Sequence, residues 1–215
     1  MLDPYLRTLI DRPLNMAGKR LAELGFSPIN LTFIGFGMGL LAMGLIVYQL
    51  YSVAFFFILM NRVLDGLDGA VARQTQTSDF GGGLDITCDF IVYAGIVFAF
   101  GLADPENLLY SGFLIFSFIG PITTFLAYAT IAAKRQINTN RRGIKSFYYL
   151  GGICEGTETA LFLLFICLFP KTFQWAALIF GGLCWLTTIG RVYCAWIDFG
   201  KQKLPIVESL IENRQ

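Results

Sequence analysis

The chain has 215 residues, 55% hydrophobic and 14% charged, with a mean hydropathy of +0.62 and a formal net charge of +1. The charged share lies well below the roughly 25% usual for soluble domains, which excludes an ordinary soluble globule and indicates an all-α integral membrane protein. The small net charge predicts no nucleic-acid partner, and the absence of histidine removes the commonest acid/base group and zinc ligand, leaving carboxylates, Arg, Lys, Tyr or a metal for any catalysis.

Residues 1–26 hold Asp3, Arg7, Asp11, Arg12, Lys19, Arg20 and Glu23 with no apolar core, so a cleavable signal peptide is not expected. Leu2, Leu6, Leu9, Ile10, Leu14, Met16, Leu21 and Leu24 alternate with these charges. The pattern predicts an amphipathic helix lying on the membrane, broken or started by Pro4 and Pro13 and ended by Gly25. Ser27 and Pro28 then open the first span as cap and first-turn proline. Six transmembrane helices are predicted, at about 29–50, 52–73, 84–103, 108–133, 148–169 and 173–197. The expected organisation is a juxtamembrane helix (1–26), a six-helix membrane domain (27–200) and a C-terminal tail (201–215).

Basic residues orient the spans. Arg7, Arg12, Lys19, Arg20, Lys134, Arg135, Arg141, Arg142, Lys145, Lys201, Lys203 and Arg214 fall on one side, and Lys171 on the other. Both termini and the 74–83 and 134–147 loops are therefore expected in the cytoplasm. Cys88, Cys154, Cys167, Cys184 and Cys194 lie in or beside apolar segments without C-x-x-C spacing and are expected to be buried free thiols.

Against this background stand four aspartates: Asp65 and Asp68 near the end of the second span, Asp85 and Asp89 near the start of the third. Carboxylates beside hydrocarbon persist where they pair, bind metal or move protons. On a helix, Asp65, Asp68, Gly69, Ala72 and Arg73 form one stripe, and Gly81, Asp85 and Asp89 another. Two antiparallel helices joined by a short loop can face these stripes together, offering enough oxygens for one or two hard cations. Small residues at 66, 69, 70 and 72 would leave space for a ligand against the backbone. Oxygen-only ligands favour Mg²⁺ or Mn²⁺ over zinc.

These residues resemble the signature of the class I CDP-alcohol phosphatidyltransferase family, D-x-x-D-G-x-x-A-R, a spacer, then G-x-x-x-D-x-x-x-D. Every fixed position is filled, by Asp65, Asp68, Gly69, Ala72, Arg73, Gly81, Asp85 and Asp89. The resemblance extends to the six helices, the amphipathic N-terminal helix and the start of the first span at Ser27-Pro28-Ile29-Asn30-Leu31-Thr32. The chain is similar in overall pattern to proteobacterial inner-membrane members, which implies a bacterial inner-membrane location. Two departures are a seven-residue spacer where eight is common, and Phe90 where many phosphatidylglycerophosphate or phosphatidylinositol-type members carry a basic residue.

The resemblance implies transfer of a phospho-alcohol from a CDP-linked donor, CDP-diacylglycerol or another CDP-alcohol, to a small alcohol acceptor, with release of CMP. It implies that Asp65, Asp68, Asp85 and Asp89 hold a pair of Mg²⁺ or Mn²⁺ ions, with Asp89 also the general base. Asp68, Gly69, Ala72 and Arg73 would lie along the nucleotide, with Pro28, Asn30 and Thr32 as further lining. Membrane lipids are the implied surroundings. A homodimer is compatible with faces bearing Gly35, Gly39, Gly181 and Gly182, which core packing explains equally well.

For the acceptor, the candidates are Arg141, Arg142 and Lys145 of the basic loop, Arg191 of the sixth span, and Glu155 with Glu158, which share a face at i, i+3. Ordinary positive-inside charge also explains the loop, and Arg191 needs a partner that Glu155, Glu158 or a phosphate can supply. Arg62, one turn before Asp65, is expected to meet the carboxylates or a phosphate. The competing readings are a transporter or cation carrier, and a non-catalytic binder of CDP-linked lipid. Acids at one membrane surface, with no internal repeat, disfavour the first.

Overall fold

The computed structural model describes residues 3–135 and 152–200, with side chains from residue 11 of the first stretch. Its helices are α1 (Asp3–Glu23), α2 (Pro28–Val47), α3 (Tyr51–Gln74), α4 (Asp79–Ala103), α5 (Leu108–Lys134), α6 (Gly156–Leu168) and α7 (Phe173–Phe199). Single 3₁₀ turns at Pro105–Asn107 and Pro170–Thr172 lead into α5 and α7. The 201–215 tail and the loop residues Arg141, Arg142 and Lys145 lie outside the described residues.

The first helix differs from expectation at its proline. Pro13 sits inside an unbroken α1. A mid-helix proline costs about 3 kcal/mol, and packing of α1 along α3 offsets it: Leu14 lies against Gly66 and Gly18 against Ala70. Gly25 ends the helix with φ +84. Its N–H donates to the Ala22 carbonyl and the Phe26 N–H to that of Leu21, both at 3.0 Å, a Schellman closure. Ser27 then caps α2, its Oγ accepting from the Asn30 N–H at 3.2 Å with Pro28 in the first turn.

Two boundaries also move. The third span, expected from about residue 84, begins at Asp79 because Ser78 Oγ caps it by accepting from the Gly81 N–H at 3.0 Å. The loop between α3 and α4 is thereby cut to residues 75–78. The fifth span, expected from about 148, has its helix α6 begin at Gly156, with Glu155 extended at the N-cap (φ −118, ψ −173). Glu155 and Glu158 therefore do not share a helical face, because the Glu155 carboxylate turns back to accept from the Gly152 N–H at 2.9 Å.

The helices form two packed groups. α2 lies along both α3 and α4, while α5 packs on α7 and α4, and α6 on α3. Gly35 and Gly39 face the crevice between α3 and α4: a Cβ at Gly35 would meet Leu64 at 3.3 Å, and one at Gly39 would meet Val92. Gly181 lies against Phe113 and Ser117, so three of the four glycines considered for a dimer face are used in packing within the chain; Gly182 faces open space.

The core is aromatic and sits away from the acidic end. Tyr51 stacks on Phe100 at 5.3 Å and Phe100 on Phe173 at 4.7 Å, joining α3, α4 and α7. Phe162 stacks on Phe180 at 4.2 Å, with Phe118 edge-on to the latter. Cys88, Cys154, Cys167 and Cys184 are buried free thiols as expected, and Cys194 is half-buried. Outward faces stay apolar, with Phe33, Leu41, Trp175, Ile179, Leu186, Ile189 and Trp196 exposed. Such patches suit lipid rather than water.

Of the six predicted spans, α2, α4, α5 and α7, the last two with their leading turns, are long and apolar enough to cross a membrane. Helix α3 has 24 residues but carries Arg62, Asp65, Asp68 and Arg73, and α6 has 13. Substituting Gly39 by Val drives a side chain into Val92, and is expected to cost about 1–3 kcal/mol. Gly37→Ala, which enters open space, should be neutral or stabilising by up to about 1 kcal/mol. Thermal unfolding of both variants in detergent checks the difference.

Candidate active site

The four aspartates converge. α3 carries Asp65 and Asp68, α4 carries Asp85 and Asp89, and α2 backs the gap between them with Thr32, Gly35 and Phe36. With Asn61 and Cys88 these residues line an open cleft. One carboxylate oxygen each from Asp65, Asp85 and Asp89 lies within 4.8 Å of the others. Asp68 stands slightly apart and is only 5% exposed. Thr32 Oγ1 donates to its Oδ2 at 2.6 Å, tying the first turn of α2 to the cleft.

Among the described residues, the Arg62 guanidinium answers this charge beside the cleft. Arg62 Nη2 donates to Asp89 Oδ1 at 2.6 Å and Nη1 to Asp89 Oδ2 at 3.1 Å, while Asp65 Oδ2 is 3.7 Å from Nη1. Tyr93, one turn beyond Asp89, accepts from Arg62 Nη1 at 2.5 Å and donates to Asp89 Oδ2 at 3.1 Å. The guanidinium also lies 4.8 Å from the Tyr93 ring centre. Its Nε and Nη2 donate to Asn61 Oδ1 at 2.8 and 2.6 Å, and Asn61 Nδ2 donates to the Gly35 carbonyl at 2.9 Å. Arg62 meets the acids as its spacing predicts; Asn61, Tyr93 and Cys88 carry no sequence signal beyond their place about one turn or less from an aspartate.

The nucleotide-side candidates lie further along α3. Gly69 and Ala72 are half-buried. Arg73 folds back past Gly69, its Nη1 3.5 Å from where a Cβ at Gly69 would stand, and Nη2 donates to Asn15 Oδ1 of α1 at 3.0 Å. Gly66 and Ala70, read from sequence as room for a ligand, instead face Leu14 and Gly18. Small residues on that side admit a helix. Asn30 is exposed and Pro28 half-buried, and neither lines the cleft.

The acceptor candidates lie elsewhere. Arg191 is buried on α7, where Nη1 donates to the Pro121 carbonyl at 2.9 Å and Nη2 lies 3.7 Å from Glu155 Oε1. The partner expected for this arginine is therefore present as a carboxylate. Glu158 sits half-buried in the first turn of α6.

A four-carboxylate cleft at one end of a helical bundle offers an oxygen-only donor set of the kind that suits a hard cation. A sequence model described as CDP-alcohol phosphatidyltransferase matches residues 26–190, and the chain belongs to that family. It is 48% identical to inner membrane protein YnjF of Escherichia coli (strain K12) over 198 residues, covering 92% of this chain and 96% of that protein. It is 31% identical to archaetidylinositol phosphate synthase of Pyrococcus horikoshii over 189 residues, covering 87% and 93% respectively. An uncharacterized protein of Aquifex aeolicus is 30% identical over 166 residues, with 76% and 77% covered. Membership makes the chain a CDP-alcohol phosphotransferase of phospholipid-headgroup transfer.

Thr32→Val removes the donor to a buried carboxylate and is expected to cost about 1–3 kcal/mol, with Thr32→Ser restoring most of it. Denaturant unfolding of the detergent-solubilised chain measures both.

Proposed function

We propose that the chain transfers a phosphatidyl group from CDP-diacylglycerol to the hydroxyl of a small alcohol in a divalent-metal-dependent reaction of the EC 2.7.8 type, releasing CMP. The observation that carries this reading is the meeting of Asp65, Asp85 and Asp89 within 4.8 Å, with Asp68 lining the same cleft. The donor set fits a hard cation: every ligand is a carboxylate oxygen, and one arginine offsets only part of the charge. Asp65, Asp68 and Asp85 would hold Mg²⁺ or Mn²⁺, as a pair of ions, with Asp89 beside them. Bound there, such ions neutralise the diphosphate and the charge growing on departing CMP.

The chain's own groups supply the rest. Asp89 takes the proton of the acceptor hydroxyl as the acceptor oxygen bonds to phosphorus and the bond from phosphorus to the CMP oxygen breaks. Gly69, Ala72 and Arg73 receive the nucleotide, with Asn15 steadying Arg73 and with Pro28 and Asn30 at the start of α2 nearby. The cleft takes the diphosphate while the acyl chains stay in lipid. For the acceptor, Arg191, Glu155 and Glu158 with Arg141, Arg142 and Lys145 are the proposed contacts. Phe90 argues against an acceptor site of the phosphatidylinositol or phosphatidylglycerophosphate kind. A panel including phosphorylated polyols, tested on wild type and Glu158→Gln, reads the specificity; unchanged preference returns Glu158 to a structural role.

We further propose six spans in a bacterial inner membrane, α1 lying on the cytoplasmic surface, and both termini and the cleft facing the cytoplasm, with 27–200 as the membrane domain. The basic-residue asymmetry and the YnjF relative support this placement. Asp85→Asn and Asp89→Asn are each expected to abolish CMP release from CDP-diacylglycerol. Chelation should silence the wild type, with Mg²⁺ or Mn²⁺ restoring it. Metal-independent CMP release, or full activity in either variant, overturns the assignment.

A further inference from the structure

We propose that Arg62 is a resident counter-ion of the acidic cleft. It is a fixed cation that lets the carboxylates of α3 and α4 stand together before any ion arrives, and that loosens the hold on the ions that do arrive. A guanidinium has about five N–H donors, and each one on Arg62 has a partner within the chain. Nε and Nη2 donate to Asn61 Oδ1 at 2.8 and 2.6 Å, and Nη2 also donates to Asp89 Oδ1 at 2.6 Å. Nη1 donates to Asp89 Oδ2 at 3.1 Å and to the Tyr93 hydroxyl at 2.5 Å. The side chain is 12% exposed. No donor is left over to grip a substrate phosphate, so the charge belongs to the site itself.

The frame around it is equally built in. Asn61 Nδ2 donates to the Gly35 carbonyl of α2 at 2.9 Å, and the buried Tyr93 of α4 donates to Asp89 Oδ2 at 3.1 Å. Arg62 Nη1 also lies 3.7 Å from Asp65 Oδ2, so one cation on α3 reaches a carboxylate on each of the two acidic helices. Both carboxylates keep their part in holding ions. A carboxylate offers about four acceptor positions; Arg62 and Tyr93 leave one on Asp89 Oδ1 for an ion. Coulomb's law then fixes the sign of two effects. In the empty cleft, the guanidinium stabilises acids that otherwise repel one another. In the loaded cleft, the same charge stands beside the ions and repels them. An arginine that only kept the carboxylates in place would do the opposite, because its loss would scatter the ligands and weaken ion binding.

This deepens the transferase reading and rests on it for its meaning in turnover: an ion held loosely suits a donor whose diphosphate brings the missing negative charge. The two signs themselves are read without turnover. Full-length chain is purified in Mn²⁺, reconstituted in nanodiscs and stripped of metal, as wild type, Arg62→Gln and Arg62→Lys. Mn²⁺ is then titrated by electron paramagnetic resonance. Arg62→Gln is expected to bind Mn²⁺ roughly tenfold tighter than wild type, and Arg62→Lys, which keeps the charge, within about threefold of wild type. Without metal, Arg62→Gln is expected to unfold about 2–8 °C below wild type, and saturating Mn²⁺ to close that gap.

Unchanged or weaker Mn²⁺ binding in Arg62→Gln overturns the proposal, and so does an unfolding gap that Mn²⁺ leaves open. Equal tightening in Arg62→Lys overturns it too, since the effect would then follow the lost hydrogen bonds rather than the lost charge. Failure of Arg62→Gln to fold even in Mn²⁺ counts against it in the same way, because an added cation is expected to stand in for the missing one. A wild type that binds no Mn²⁺ removes the ion site and this inference together. Mn²⁺ binding without CMP release from any CDP-linked donor sinks the transferase reading alone, and the Arg62 comparison still decides the counter-ion.

Discussion

Everything at the acidic end depends on holding like charges together. Three carboxylates with oxygens inside 4.8 Å of one another repel, and low-dielectric surroundings strengthen the repulsion. They cannot be the force that assembles α3 and α4. That force comes from the far end, where Phe100 stacks between Tyr51 and Phe173, about 16 Å along α4 from Asp89 by helical rise. Arg62 then relieves part of the repulsion locally. The aromatic core and the acidic cleft occupy opposite ends of the same helices.

The cleft exists because α2, rather than direct contact between α3 and α4, sets their separation. Gly35 and Gly39 let α2 settle against Leu64 on one side and Val92 on the other. From that position α2 presents Thr32 to Asp68 and the Gly35 carbonyl to Asn61. Side chains meet across the remaining gap, and the facing carboxylates keep a space between them. Helix α1 completes the arrangement from outside, braced on Gly66 and Ala70, with Asn15 holding Arg73.

Much of this is legible along the chain. The two stripes of acids, the Ser27-Pro28 start and the Gly25 stop all follow from local rules of helical period and capping, and each is found where those rules put it. The departures share a cause. Local rules make Pro13 a break, residues 79–83 a loop, and Glu155 with Glu158 one helical face. In each case a contact distant in sequence, or a cap set by one hydroxyl or carboxylate, outweighs local propensity. The small residues at 66 and 70 do make room, but for a neighbouring helix.

The sequence by itself determined the family, the helical class and the four aspartates, because hydropathy, helical period and a spaced motif are properties of neighbours along the chain. Tertiary structure alone decided which acid is paired and which stands open. Arg62 is close in sequence to Asp65 and distant from Asp89, yet its strong bonds go to Asp89. That choice is made by the direction in which α3 and α4 lean on α2, a three-body packing outcome that no pairwise spacing encodes.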